Sequence, residues 1–472
     1  MRKFYWYIST FFRKHGIVVL ASVVGAVLLF SVFLPFVIQK VNFKPKRFIG
    51  VVGFYTLDNL PSEIQEKLSN GLTRLNPDGS AISSLAERWI IEDDGKTYRF
   101  LLRQNVLWQD GTPVTPEDLD YNFKDVQIIT NPNEIIFKLP DPFSPFPTVV
   151  SRPVFRNTTE PYLYFFSRRK IIGTGQYQLV RYDEREGGGR LTEVTLEGPQ
   201  DRLIYRFYVT EDDAIAGFER GEVDELPNFS SPGQLANWPR IVIDQTLDKH
   251  TYLGVFFNLN DDVFKSKELR LALNYATEKP ASEVRAYGPI SPLSWAYADV
   301  SKIYDFDKER AIELLLSPNG LPQTPLKFTL TTTSNFLGEA ERIRSIWQQI
   351  GEEASVVCQK SSDIKDKNLC DNLNMEIDVS VNNYPDTSNF QALLIGQTIP
   401  ADPDQYSLWH SGQPTNFTGY RNTRIDSLLE RGRQTDDQRR RIEIYTDFQQ
   451  FFSEDPPVIF LRFLDRYDIR RP

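Results

Sequence analysis

Turn signals are densest between Asn70 and Phe123, and they constrain this chain more than any other feature. Pro77-Asp78-Gly79, Asp93-Asp94-Gly95 and Asp110-Gly111 each favour a chain reversal. Glycine accepts positive φ, and an aspartate carboxylate bonds the backbone two residues on. Between the first two signals, Leu85, Ala86 and Trp89 recur at helical-turn spacing on one face. After the second, Tyr98, Phe100 and Leu102 alternate with Thr97, Arg99, Leu101 and Arg103, which predicts a strand with one buried face. Thr115-Pro116-Glu117-Asp118 has the cap, the proline and the acids of a helix start.

The same stretch reads NGLTRLNPDG, SLAERW, EDDGKTYRFLLR and VLWQDGTPVTPEDL. It resembles the signature region of the family 5 extracellular solute-binding proteins, the peptide and nickel receptors of ABC importers. Further segments carry the resemblance over most of Phe48 to Phe463. They include IIGTGQYQLV, AIAGFERGEVDEL, YLGVFFN, PISPLSWAY, DPDQYSLWHS and the closing run from Asn416 to Phe463. The resemblance implies an α/β chain with the two-lobe periplasmic-binding-protein-like fold (class II, peptide-binding type). It implies a binder rather than an enzyme, with no cofactor, since ATP hydrolysis belongs to another subunit. Trp108, Asp110 and Gly111 then serve packing and turns rather than ligand.

At 472 residues, two domains are expected. Gly16 to Ile38 is uncharged and almost wholly apolar, long enough to cross about 30 Å of hydrocarbon at about 1.5 Å per residue. Lys and Arg flank it on both sides, so charge alone does not set its orientation. The run is longer than a usual signal-peptide core, and Phe33-Leu34-Pro35-Phe36 is too bulky for a cleavage site. An uncleaved anchor is the expectation, with the soluble part extracytoplasmic. The boundaries are a cytoplasmic segment 1–15, an anchor 16–38 and a linker 39–47. Lobe 1 spans 48–252 with 464–472, and lobe 2 spans 253–463. Residues 48–472 hold 46 basic and 63 acidic residues, a net charge of −17. Such a surface argues against nucleic acid as a partner.

After the signature, Val126–Leu139 reads as paired short strands and Lys327–Thr332 as another. Thr210 starts a helix that Gly221 ends, and Ser266–Glu278 is amphipathic. Glu339–Ile350 reads as a helix stopped by Gly351. Thr435 with Gln438 reads as a capping box. Gly187-Gly188-Gly189 is a hairpin tip, because no Lys-Ser/Thr follows to make a phosphate loop. The chain stops early for this family, so the completion of lobe 1 is open at this stage.

Cys358 and Cys370 bracket a short polar loop. They form a loop-closing disulfide in an oxidising compartment or remain free thiols. Without a nearby histidine they are not a zinc site. No HExxH, G-x-S-x-G or P-loop occurs. Asp402 and Asp404 flank Pro403 in a rigid turn, so neither a catalytic pair nor a metal site is expected. A binding protein needs a cleft lined by aromatic and polar groups. The candidate ligand contacts are Tyr55, Trp295, Tyr384, Asp402, Trp409 and His410. Trp295 and Trp409 lead, because aromatic faces bind uncharged solutes. Ile399 stands where the family's peptide receptors place an amine-binding aspartate, so that clamp does not carry over. The expected partners are a small solute, above all an oligopeptide, and the permease and ATPase of an ABC importer. Two rivals keep the fold: a tethered sensor or scaffold, and a receptor for an oligosaccharide or metal chelate.

Overall fold

Val242–Phe257 and Val458–Arg470 are rich in β-branched and aromatic residues, and each is long enough to serve two bodies. At about 3.3 Å per residue they extend roughly 50 and 40 Å. The computed structural model describes residues 14–29, 31, 44–162, 166–185 and 189–472. In it these two runs pair antiparallel and form the spine of one ten-stranded sheet.

In chain order the strands of this sheet are β1 (Lys46–Val52), β2 (Gln178–Glu184), β3 (Leu191–Glu197), β4 (Arg202–Tyr208), β5 (Glu225–Phe229), β6 (Val242–Phe257), β7 (Lys327–Thr332), β8 (Glu376–Val381), β9 (Ala392–Thr398) and β10 (Val458–Arg470). Their spatial order is β2-β3-β4-β1-β5-β10-β6-β9-β7-β8. Strands up to β5 belong to the first lobe, and β9, β7 and β8 to the second. β1 runs parallel to β4, and β7 runs parallel to both β8 and β9. The register of β6 on β10 breaks between the lobes. Asp248 faces Leu464 and Tyr252 faces Phe463, so Lys249, His250 and Thr251 are extra residues. A bulge of this kind bends a strand where it sits.

The described helices that matter here are α1 (Ser62–Leu68), α2 (Glu211–Glu219), α3 (Lys267–Tyr275), α4 (Leu337–Lys360), α5 (Thr423–Gln434) and α6 (Gln438–Glu454). Apolar faces of α3 and α4 cover one side of the second lobe around Trp347 and Phe328. Those of α5 and α6 cover the other side around Trp409, Tyr445 and Phe452. The first lobe packs α2 on Leu226, Phe229 and Ile469. It also carries a four-stranded antiparallel sheet (Ala86–Glu92, Thr97–Leu102, Glu134–Lys138, Gln127–Asn131) whose core is aromatic: Tyr98, Phe100, Tyr121, Phe137 and Phe146.

Several local expectations change. Leu85, Ala86 and Trp89 do not form a helical turn. Ala86–Glu92 is a strand, with Trp89 opposite Phe100, because the Asp93–Gly95 reversal hands it a partner. Thr115 makes its capping box with Asp118 on a single 3-10 turn, not a longer helix. Gly351 does not stop its helix, for α4 runs on to Lys360. A Cβ there would meet the carbonyl oxygen of Leu373, so this glycine serves close packing. Asp437, not Thr435, caps α6, accepting from Arg440 N at 2.9 Å. The chain's end completes the first lobe directly, since Arg470 pairs with both Glu225 and Val242. Gly187 and Gly188 lie outside the described residues; on either side of them Arg185 N donates to Arg190 O at 2.8 Å.

Of the expected anchor at 16–38, residues 16–29 and 31 are helical, and 30 and 32–38 lie outside the described residues. Among the described residues no helix is long and apolar enough to cross a membrane.

Cys358, in the last turn of α4, is disulfide-bonded to Cys370, with 12 residues of sequence separation. Both are fully buried. Closing so short a loop removes modest entropy from the unfolded chain, so replacing both cysteines by alanine should cost about 2 kcal/mol. Urea unfolding with and without reductant, run beside the double variant, checks this.

Candidate functional site

Parallel pairing decides where a site forms. It brings the carboxyl ends of β1 and β4 to one edge of the first lobe, and those of β7 and β9 to the edge of the second. Ligands of open α/β sheets bind in the crevice outside such ends. A groove of about 630 Å³ lies there. Its first-lobe wall is the start of α2 (Glu211, Asp212, Ile215) with Ser230 and Ser231 after β5. Its second-lobe wall is Asn335 and Phe336 after β7, with Gly396 and Thr398 of β9. The floor is the spine itself: Thr251 in the bulge, then Arg462 and Leu464 to Tyr467. Asn335 Nδ2 reaches across to Ser230 Oγ at 3.4 Å. A second hollow of about 210 Å³, lined by Val52, Tyr55, Asn228 and Phe229, shares Glu211 with the first.

Most of the groove's charge is already paired. Glu211 accepts from Ser230 N (2.9 Å) and Ser230 Oγ (2.5 Å). Arg462 lies 3.3 Å from Glu283 and 3.9 Å from Glu339, and Arg466 lies 3.6 Å from Asp248. Burial raises the Glu283 carboxyl above its usual range against the pull of Arg462, with Glu339 and Asp465 adding to the rise.

The six residues chosen from the sequence do not converge. Tyr55 lines the smaller hollow and packs on Phe207 at 5.3 Å. Tyr384 is 83% exposed, away from both cavities. Trp409 is 2% exposed in the second-lobe core, 4.8 Å from the Phe452 ring. Asp402 is 7% exposed and held by Arg441, with Nη2 to Oδ1 at 2.5 Å and Nη1 to Oδ2 at 3.2 Å. His410 stacks on Tyr406 at 4.2 Å and accepts from Gly412 N through Nδ1, so Nε2 carries the proton toward Glu430, 3.1 Å away. Ile399 is buried, and its N–H donates to His250 O in the bulge at 2.7 Å.

Trp295 and the neighbours of Asp402 instead tie the two lobes together. Trp295 N donates to Asp78 O at 3.2 Å, and Gly79 packs on the Ala401 carbonyl. Ser144 gives its N–H to Arg433 O (2.7 Å) and its hydroxyl to Gly432 O (3.1 Å), using the free carbonyls at the end of α5. Arg433 also holds Asp404 at 2.7 Å, although burial pushes that carboxyl up. These contacts come from segments far apart in the chain. So do Glu211, Asn335, Arg462 and Asp465 of the groove, which sequence reasoning missed. Only the Thr210 cap, which locates the start of α2, signalled any of them.

Elsewhere in the second lobe, Lys279 is half-buried. Its Nζ donates to Asn274 O (2.6 Å), Asn274 Oδ1 (3.0 Å) and Tyr304 O (2.9 Å). Burial, with Arg285 adding like-charge repulsion against a smaller pull from Asp305, pushes its pKa down to about 7. An unfolded lysine keeps its proton to about 10.4. Above pH 7 the unfolded state therefore binds more protons, and stability rises with pH up to that value. Relative to Lys279→Met, the protein should gain about 2 kcal/mol between pH 6.5 and 9, as read by urea midpoints at both values.

Among the described residues no group of three or more His, Cys, Asp or Glu is placed to hold a metal ion. The sequence model of the bacterial extracellular solute-binding proteins, family 5 Middle, matches residues 81–402. The oligopeptide-binding protein AppA of Bacillus subtilis is 24% identical over 86% of this chain and 82% of its own length. NikZ of Campylobacter jejuni, solved in complex with Ni(L-His), superposes with a TM-score of 0.69 at 23% identity, covering 91% of this chain and 94% of that one. The ABC transporter substrate-binding protein CtaP of Listeria monocytogenes gives 0.68 at 20% identity over 91% and 94%.

Proposed function

The chain belongs to the family 5 bacterial extracellular solute-binding proteins, and from that premise we propose that its interlobe groove captures an oligopeptide for delivery to an ABC permease and its ATPase. The observation that carries this reading is the groove of about 630 Å³ at the strands' carboxyl ends, bridged by a two-strand spine with a bulge at the crossing. Two bodies joined this way close on a solute and take it out of water. AppA, an oligopeptide-binding protein by name, supports the peptide as cargo. We take 48–252 with 464–472 as lobe 1 and 253–463 as lobe 2, because the register break at 248–252 and 463–464 falls on both limits. The anchor at 16–38 belongs to the same reading. Its described part is helical with exposed Ile17, Val18 and Leu20, and basic residues flank the whole run.

Native mass spectrometry of the protein as purified, followed by titration with a tripeptide pool under small-angle scattering, tests the proposal. Retained or added peptide with a smaller radius of gyration is expected. No bound mass, no contraction and no rise in melting temperature with any peptide would overturn it.

A further inference from the structure

We propose that the interlobe groove is selective for a solute carrying a positive charge, an ammonium or guanidinium group, and that Asp465 is the residue that sets this preference. The proposal rests on the reading of the groove as a solute site and adds the class of solute.

The residues lining the groove hold three carboxylates (Glu211, Asp212, Asp465) and two guanidiniums (Arg462, Arg466). Their commitments are unequal. Both guanidiniums have acidic partners outside the lining: Glu283 and Glu339 for Arg462, and Asp248 for Arg466. A solute carboxylate has to compete with those partners. The Asp465 carboxylate makes no hydrogen bond or ion pair among the described residues, and the Asp212 carboxylate makes none either. Asp465 is half-buried on β10, one residue past the register break, and the neighbouring charge it acts on is another carboxylate, Glu283. A half-buried carboxylate beside like charge is stabilised by a cation within a few ångströms, and much more so in a groove than in open water. Phe336 and Tyr467 add aromatic surface on the same walls, which suits an organic cation over a metal ion. Anions meet an excess of carboxylates, and guanidiniums that have acidic partners at 3.3 to 3.9 Å.

Two sources supply such a cation, the amino terminus of a peptide and a basic side chain. Four probes separate them by isothermal titration of the full-length protein: trialanine, N-acetyl-trialanine, N-acetyl-Ala-Lys-Ala-amide and N-acetyl-Ala-Glu-Ala-amide. Trialanine, the lysine probe or both should bind at least about tenfold tighter than N-acetyl-trialanine, and whichever does identifies the source. The glutamate probe should bind weakest. Asp465→Asn keeps the shape and breaks no bond, so it should leave the melting temperature unchanged and erase the preference for the charged probe. Asp212→Asn, at an exposed position of α2, should narrow it. If N-acetyl-trialanine binds as tightly as both cationic probes, or if Asp465→Asn keeps the full preference, the charge assignment is overturned while the groove remains a solute site. If none of the four gives heat or contraction, the reading of the groove itself falls.

Discussion

Arg441→Met destabilises the protein by about 3–5 kcal/mol, the largest loss we expect from any single charged residue. Arg441 and Asp402 are both almost fully buried, and their side chains meet through two contacts. Arg441 Nε further donates to Gly432 O at 3.1 Å, and the guanidinium lies 5.0 Å over the Trp295 ring. Removing one partner strands the other as an uncompensated buried charge, which is where the cost comes from. The same physics makes the pair weak evidence for net stability, since replacing both partners by apolar residues is often close to neutral. The double variant Arg441→Met with Asp402→Leu should therefore recover most of the loss. Urea unfolding of the two single variants and the double closes the cycle, and a loss in the double equal to the sum of the two single losses would contradict a coupled pair.

Gly173→Val costs about 3 kcal/mol or more. The GTG turn rests directly on the last turn of α1. A Cβ at Gly173 would land on the Leu68 carbonyl oxygen, and one at Gly175 on that of Lys67. Those carbonyls are already held in place, for Leu68 O accepts from Gln109 Nε2 at 3.0 Å and from Gly175 N at 2.9 Å, and Lys67 O accepts from Tyr177 N at 3.2 Å. Backbone fixed at both ends yields less than a side chain would, which puts the overpacking penalty at the upper end of its usual range. Expression and thermal melting of Gly173→Ala and Gly173→Val should fall in that order.

These two sites show how far the letters of the chain reach. The GTGQY turn was readable because its requirement is local: small residues where backbone meets backbone. Strands such as Lys327–Thr332 were readable for the same reason, and that segment forms β7 with those limits. Leu85, Ala86 and Trp89 misled because three apolar residues fit both periods, and only a partner strand decides between them. Gly351 misled because a glycine that permits close packing looks like one that ends a helix. Trp409 and Asp402 drew attention as an aromatic and an acid beside a proline turn. Their roles were set by Phe452, Arg441 and other residues 39 or more positions away, a pairing that no local pattern announces. The groove was illegible for a related reason. Its walls are contributed by at least five separate segments, and each contributes only one to five residues.

The three surplus residues at 249–251 have a mechanical consequence. Two adjacent strands, hydrogen-bonded along most of their length, act like a leaf spring: pliant to flexing across their plane and stiff to shear within it. The bulge at 249–251, with a further register shift beside it between Leu253 and Gly254, thins the spring there, so bending concentrates at that line. Movement of one half against the other is then confined to opening and shutting like a book. On the proposed reading of the groove as a solute site, whatever docks on the outside would meet two fixed shapes whose separation reports what is held between them.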